Sequence, residues 1–144
     1  MEKRIRFDLE ADEDGHPPVG AEYVWCSSTP QGTYVVDNIP FYVRDVSLGD
    51  EITTDLANGE ESFKAVVRKS ANTTVRVFVK DLENIQRYRE ELNRLGCVTE
   101  LSHIPGMFSV SMPPEAKVAE ALAMLDSAYE SKELGFEESS VRYK

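Results

Sequence analysis

The residues of this sequence that are of types that perform catalysis form no recognisable constellation, and its 26 carboxylates will produce close pairs by chance. The two histidines, His16 and His103, stand in no recognisable arrangement with a Ser, Cys or Asp nucleophile. Cys26 and Cys97 each lie in or beside an apolar segment, which indicates buried, reduced thiols rather than a redox pair or a disulfide. The glycines are spaced like hairpin turns and form no phosphate-binding loop. The sequence therefore predicts a protein that is not an enzyme, with no catalytic residues and no cofactor.

One acidic loop has part of the pattern of a metal site. Asp12, Asp14 and Gly15 resemble the start of an oxygen-ligand calcium loop. Tyr23 stands where the bidentate Glu of such a loop should follow, and Pro17-Pro18 would disturb the required backbone. The favoured interpretation is an Asp-Gly turn with solvated carboxylates and no metal.

A second polar group keeps an enzyme open as a third alternative. Arg44, Asp45 and Asp50 flank the turn Ser47-Leu48-Gly49, and with His16 they could form an unrecognised site. A local ion pair that holds the turn is the favoured interpretation of these charges.

The charge balance indicates which partners the protein takes. The 26 acidic side chains exceed the 16 Lys and Arg, giving a net charge of −10, which argues against non-specific binding to nucleic acid. Residues 1–71 carry 7 Lys and Arg against 14 Asp and Glu, so this half holds −7 of the total. We therefore expect a basic protein partner. No run of about eighteen apolar residues appears, and we expect a soluble, cytoplasmic protein without a membrane segment.

The stretch Thr74 to Cys97 is the clearest structural unit. Valines alternate with other residues up to Val79, which predicts a strand covered mainly on one face. Asp81 is predicted to cap the helix that follows, and Gly96 to end it in the left-handed conformation. The apolar stripe of this helix consists of Leu82, Ile85, Tyr88, Leu92 and Leu95.

The remaining C-terminal residues complete a familiar order of elements. Strands are predicted over Val98 to Ile104 and Met107 to Met112, and a second helix opens at Pro113-Pro114-Glu115 and ends at Gly135. A last strand follows over Phe136 to Tyr143. The order strand, helix, strand, strand, helix, strand predicts a ferredoxin-like βαββαβ unit. Its last strand could lie at a sheet edge and pair in a homodimer.

The N-terminal half is predicted to be a small antiparallel β-barrel-like domain of about six short strands. Alternation and turn signals place them at Arg4 to Glu10, Glu22 to Ser27, Thr33 to Asp37, from Phe41 to Val43, at Ile52 to Leu56 and at Phe63 to Val67. Asn58-Gly59 predicts the hairpin between the last two. The boundary falls in Lys69 to Thr73, so the predicted fold is α+β with domains at 1–71 and 72–144.

Several segments resemble one known family. They are Arg6-Phe7-Asp8-Leu9, Pro17-Pro18-Val19-Gly20 with Glu22 and Trp25, the run from Tyr34 to Phe41, Val46 to Asp50, and Leu95-Gly96-Cys97. Together they resemble a bacterial family of small proteins catalogued as a domain of unknown function, and Asn-Ile-Pro-Phe and Leu-Gly-Asp are the more specific pieces. The resemblance covers most of the chain and implies a bacterial, soluble, stand-alone protein. It implies no activity and no catalytic residues.

The functional hypothesis is therefore a non-enzymatic binding protein, most concretely an immunity protein that neutralises a basic, nuclease-like bacterial toxin. Aromatic residues near carboxylates are typical anchors for a protein partner. The predicted partner-binding residues are Asp37, Tyr42, Asp45, Asp50, Glu60 and Glu61. The alternative is a small-ligand-binding or regulatory domain whose site lies between the two halves.

Overall fold

The structure is a computed structural model that describes residues 1–15 and 19–143. The chain divides into two units, Met1–Ser70 and Ala71–Lys144. The fold is α+β, with a closed barrel of five strands in the first unit and a second sheet with two helices in the other.

The first unit is built from strands that pair with their neighbours in the chain. They are β1 (Glu2–Asp8), β2 (Ala21–Ser28), β3 (Tyr34–Val36), β4 (Glu51–Ala57) and β5 (Glu60–Arg68). Successive strands are antiparallel, and a parallel contact of β1 with β5, at Arg6 and Ser62, closes the barrel. An odd number of strands running up and down can close only through such a parallel pair. The barrel interior is filled by apolar side chains, among them Ile5, Phe7, Val24, Cys26 and Ile52.

The strand predicted to start at Phe41–Val43 is wrong. This segment is irregular, and its three backbone amides donate to the side-chain carboxylate of Glu22, at 2.6, 2.9 and 3.0 Å. A carboxylate that accepts three amides supplies the hydrogen bonds that a neighbouring strand would otherwise provide. Asp45 then takes a left-handed conformation, with φ of 63°. The described part of the first unit therefore has five strands instead of about six.

The hairpin between β4 and β5 is confirmed. Asn58 and Gly59 both have positive φ, at 53° and 79°, as the tight hairpin turn requires. Two irregularities in the pairing shift the register, so that Thr54 lies opposite Phe63 and Ile52 opposite Val66.

The second unit contains an antiparallel sheet and two helices. The strands are β6 (Thr73–Val79), β7 (Val98–Leu101), β8 (Met107–Met112) and β9 (Leu134–Ser140), in the spatial order β7-β8-β6-β9. A short 3₁₀ turn (Leu82–Asn84) leads into α1 (Ile85–Arg94), and α2 (Val118–Glu130) follows β8. The predicted stripe of α1 is confirmed for Tyr88, Leu92 and Leu95, which are buried in the core that the sheet and helices share, and for the partly buried Ile85. Leu82 does not belong to it, since it lies in the 3₁₀ turn and is 58% exposed.

Two of the predicted helix ends differ from the structure. The side chain of Asp81 makes no capping hydrogen bond, and the chain enters α1 through the 3₁₀ turn. The second helix starts at Val118 instead of Pro113. Pro114 disfavours helical backbone at Pro113, and Lys117, with φ of −81° and ψ of 71°, is the non-helical residue from which the helix starts.

The C-terminal ends of the helices depend on left-handed residues. Gly96 has a φ of 95° and ends α1, as predicted. Gly135 does not end α2, since it lies within β9. Lys132 takes the left-handed role there, with φ of 63°, and its amide donates to Tyr129 O at 3.0 Å.

Gly106 occupies a turn where no other residue fits well. Its φ is 88°, and a Cβ added there would lie 2.9 Å from the Val79 carbonyl oxygen. We expect Gly106→Ala to lower the free energy of unfolding by about 1–2 kcal/mol, measured by urea denaturation. Gly135→Ala is the matched control, because a Cβ at Gly135 meets nothing within 4 Å. Equal stability of the two variants would contradict the expectation.

None of the helices formed by the described residues combines the length and the apolar character needed to cross a membrane.

Candidate functional site

The outer surface of the β1–β2 hairpin carries the most exposed aromatic pair of the first unit. Because Val24 and Cys26 point into the barrel, the alternating Tyr23 and Trp25 point outwards, with 40% and 45% of their surface exposed. We call this surface the ribbon face; it comprises Arg4, Arg6, Asp8, Tyr23, Trp25 and Ser27, with Asp37 and Glu60 at its margins.

Tyr23 is held by charged neighbours. The guanidinium carbon of Arg4 lies 4.7 Å from the centroid of the Tyr23 ring, and the Tyr23 hydroxyl donates to Glu60 Oε1 at 2.8 Å. Arg6 Nη1 lies 3.5 Å from Glu60 Oε2, and Arg6 Nε donates to Asp8 Oδ1 at 2.8 Å, which raises the pKa of Arg6. These contacts fix the orientation of the ring while it stays exposed.

Trp25 is held through its backbone. Its amide donates to Asn38 Oδ1 at 2.9 Å, and its carbonyl oxygen accepts the Asp37 amide at 2.9 Å. The Ser27 hydroxyl donates to the Asp37 carboxylate. Asp37 and Asn38, which follow β3, therefore hold the backbone of β2 in place at Trp25. The indole ring takes no part in these hydrogen bonds.

The ribbon face carries the residue types of a binding surface. Tyr, Trp and Arg are the residues that contribute most to protein interfaces, and carboxylates at both ends add charge specificity. None of the residues of this face is a thiol or an imidazole, and its one hydroxyl nucleophile candidate, Ser27, donates its proton to Asp37 with no neighbouring base besides that carboxylate.

Two of the six predicted partner-binding residues lie on the ribbon face, Asp37 and Glu60. Glu61 lies on β5, where it is half-buried. It accepts a hydrogen bond from Thr54 at 3.4 Å and lies 3.7 Å from Lys3 Nζ. Its hydrogen bond with Tyr34 raises the pKa of that phenol to about 12. Glu61 therefore stabilises the barrel more than it presents charge to solvent.

The other three predicted residues do not form one surface. Tyr42 is only 9% exposed, Asp45 is exposed on the irregular loop, and Asp50 is fully buried. The Asp50 carboxylate accepts the amides of Ser47 at 2.9 Å and Ser70 at 2.8 Å. Asp50 is thus positioned to hold two segments of the unit together through their backbone amides, and the predicted ion pair at this turn stays a prediction.

Sequence reasoning missed Arg4, Arg6, Tyr23 and Trp25 as site residues. Both sides of β2 are apolar in sequence, so the pattern alone does not say which side faces the core. Polarity is the signal that was available, because Val24 and Cys26 can be buried without strong hydrogen-bond partners, whereas an indole and a phenol each need a partner when buried.

A cleft opens beside the ribbon face within the first unit, with a volume of about 320 Å³. Its walls include the apolar residues Phe7, Leu9, Val43 and Phe63, together with Tyr42, and the charged side chains of Asp8, Glu10 and Arg44 lie around it. Phe7 and Phe63 are stacked, with ring centroids 4.7 Å apart and planes inclined by 18°. Asp8 belongs to both the cleft and the ribbon face.

His16 and Pro17-Pro18 lie outside the described residues, so the polar group that kept an enzyme open stays a prediction. Of its other members, Asp50 is buried and its carboxylate is engaged by two backbone amides. Within residues 1–15 and 19–143, no three His, Cys, Asp or Glu side chains are grouped so as to hold a metal ion.

The thiols are shielded. Burial raises the pKa of Cys26 to about 12, with a further contribution from the charge of Asp37, and burial raises that of Cys97 to about 11. We expect both thiols to react slowly with an aromatic disulfide reagent at pH 8 in the native state and rapidly in urea. Rapid reaction of the native protein would contradict this expectation.

The same two thiols make stability depend on pH. Since the thiols of the unfolded chain ionise near pH 9.0, their contribution to stability is complete below that pH and is lost as pH rises towards 11 and 12.

Comparisons with known proteins address the family and the fold. A search of curated proteins found no match. A solved structure described as "Novel crystal structure of a hypothetical protein from Neisseria gonorrhoeae" is similar, with a TM-score of 0.78 and 18% sequence identity over 99% of this chain and 98% of that one. At this identity the likeness shows the fold alone. The family described as a domain of unknown function, DUF4265, matches residues 22–135, which is most of the chain. The protein therefore belongs to the DUF4265 family.

Proposed function

We propose that the protein is a non-enzymatic binding protein that docks a basic protein through the ribbon face. The observation that carries the proposal is the exposure of Tyr23 and Trp25 between Glu60 and Asp37. Exposed aromatic side chains of fixed orientation contribute large contact area at little cost in conformational entropy. Flanking carboxylates select for a partner with complementary charge.

The sign of the partner's charge follows from the first unit as a whole. Residues 1–70 carry 7 Lys and Arg against 14 Asp and Glu. The arginines of the ribbon face are largely compensated, since Arg6 contacts Asp8 and Glu60. The remaining field is negative, and it speeds encounter with a basic protein in a manner that salt suppresses.

The most specific form of the proposal is an immunity protein in the cytoplasm that covers the active site of a basic, nuclease-like toxin. An acidic surface is complementary to the cationic site that a nuclease needs for phosphate binding. Buried, free thiols at Cys26 and Cys97 suit a reducing compartment.

The experiment is affinity capture by the tagged full chain from an extract of the cells that produce it. We expect one basic protein, retained in stoichiometric amount at low salt and released at high salt. Trp25→Ser should strongly reduce retention, whereas Leu56→Ser, which replaces a more exposed apolar residue near the end of β4, should not. The immunity form further requires that the captured protein has nuclease activity and that the bait inhibits it. Absence of a retained basic protein, or equal retention by both variants, would overturn the proposal.

A second candidate is a small-ligand-binding or regulatory domain. The observation that favours it is the cleft lined by Phe7, Leu9, Val43 and Phe63. The site between the two halves, predicted from the sequence, stays a prediction. A metabolite that binds only the folded state must raise the melting temperature, so a thermal-shift screen tests this candidate, and a screen without any hit opposes it.

We also infer that the unit Ala71–Lys144 has the ferredoxin-like arrangement. Its support is the antiparallel order β7-β8-β6-β9, with α1 between β6 and β7 and α2 between β8 and β9. An experimental structure that finds both helices on one face of the sheet, with right-handed crossovers, tests this inference. The homodimer through β9, which lies at a sheet edge, stays a prediction that sedimentation analysis can test.

A further inference from the structure

We propose that the cleft of the first unit receives an arginine side chain of the basic partner. The inference rests on the proposed function and names the chemical group that the partner inserts. The cleft is continuous with the ribbon face through Asp8. The Asp8 carboxylate pairs with Arg6 of the ribbon face, and Asp8 also lines the cleft. A partner that covers Tyr23 and Trp25 is thereby brought to the cleft as well.

The size of the cleft suits one long side chain. Its volume of about 320 Å³ is near the lower end of the range for small-molecule sites. An extended side chain with an apolar stem and a polar head fits such a space, because the stem can lie along Leu9 and Val43 while the head reaches the charged groups.

An aromatic surface suited to a guanidinium lies in the cleft wall. Phe7 is buried and Phe63 is half-buried, and the two rings stack nearly parallel. Stacking on Phe7 occupies one face of Phe63, so a planar cation can be received only on its opposite face. Guanidinium groups bind aromatic faces in this way, and Arg4 over Tyr23 is an example within the same unit.

The charged groups around the cleft favour a cation. Asp8 is already paired with Arg6, which leaves Glu10 and Arg44 as the other charged groups at the cleft. Among the described residues Glu10 makes no ion pair, so its carboxylate can accept a hydrogen bond from a partner without breaking an existing one. Arg44 carries the same charge as the incoming side chain, so Glu10 is the expected counter-ion and the guanidinium lies nearer to Glu10 than to Arg44.

The cleft wall is formed in advance of binding. Tyr42 and Val43 belong to the segment whose amides are fixed by Glu22, at 2.9 and 3.0 Å. A wall held in this way loses little further freedom when a side chain enters, which is the condition for a specific anchor site.

The test uses acetyl-arginine-amide as the probe and the isosteric, neutral acetyl-citrulline-amide as its control, with the full chain observed by NMR. We expect saturable shifts at Leu9, Val43 and Phe63 with the arginine probe, and weaker binding of the citrulline probe. Phe63→Leu should weaken the arginine probe about fivefold, and Glu10→Gln about threefold. Trp25→Ser, outside the cleft, should leave its affinity unchanged. Equal binding of both probes, or shifts that persist unchanged in Phe63→Leu, would overturn the inference.

Failure of this inference and failure of the proposed function give different results. If a basic protein is captured through Trp25 but the arginine probe does not bind, the cleft assignment is wrong and the docking function stands. If the probe binds in the cleft but no basic protein is captured, the assignment of the cleft to a partner's arginine is wrong together with the docking function.

Discussion

Replacing Glu22 with alanine is expected to lower the free energy of unfolding by about 3 kcal/mol. The Glu22 carboxylate accepts the amides of Phe41, Tyr42 and Val43, all within 3.0 Å. Hydrogen bonds to a charged acceptor stabilise more than neutral ones, and alanine would leave three partly buried amides without an acceptor. Glu22→Gln keeps one acceptor oxygen in place, so it should cost roughly half as much.

Urea denaturation of the two variants measures this effect, with Asp55→Ala as the matched control. Asp55 is an exposed carboxylate that lies 3.9 Å from the exposed Lys64 Nζ, so its loss should change stability by less than about 0.5 kcal/mol. Hydrogen exchange at Phe41–Val43 adds a local readout, since these amides should exchange much faster in Glu22→Ala. A Glu22→Ala variant as stable as the control would show that solvent satisfies this loop.

The conformation of the loop at Phe41–Val43 could not be predicted from the local sequence. Two aromatic residues and a valine are typical of a strand, and local pattern alone therefore predicts one. What decides the conformation is a carboxylate about twenty residues earlier in the chain, a contact that spacing cannot reveal. The helices were more predictable, because the stripe of Tyr88, Leu92 and Leu95 is a property of α1 itself. Helix ends depend on single residues, and Lys132 took a left-handed role that glycine usually fills.

The candidate site was predictable only in part, for a related reason. Asp37 and Glu60 were named from their charge. The barrel brings Asp37, which follows β3, and Glu60, which begins β5, to one face. Asp50 was named for the same reason, yet it is fully buried and bound by backbone amides. Charge in a sequence does not distinguish a carboxylate that meets solvent from one that meets amides. Only the closure of the barrel decides which of them can contact a partner.

Removal of the ribbon-face aromatics is the second change with a large expected effect. We expect Trp25→Ser and Tyr23→Ser each to weaken binding of the captured basic protein about thirtyfold, because buried interface aromatics of this kind contribute about 2 kcal/mol. Both side chains are partly exposed in the free protein, at 40% for Tyr23 and 45% for Trp25, so the substitutions should lower the melting temperature far less than they weaken binding. Calorimetric titration of purified partner into each variant gives the affinities.

Two milder variants separate the contributions to this interface. Tyr23→Phe keeps the ring under Arg4 but removes the hydroxyl that donates to Glu60, so it should weaken binding only about threefold. Glu60→Gln should act mainly on the association rate and should reduce its dependence on salt, because a charge at the margin of an interface steers encounter more than it holds the complex. A thirtyfold loss in Leu56→Ser, or undiminished affinity in Trp25→Ser, would place the docking surface elsewhere on the protein. If Trp25→Ser binds the partner much more weakly while Glu60→Gln leaves the salt dependence of association unchanged, the aromatic anchor stands. Charge is then excluded as the basis of partner choice.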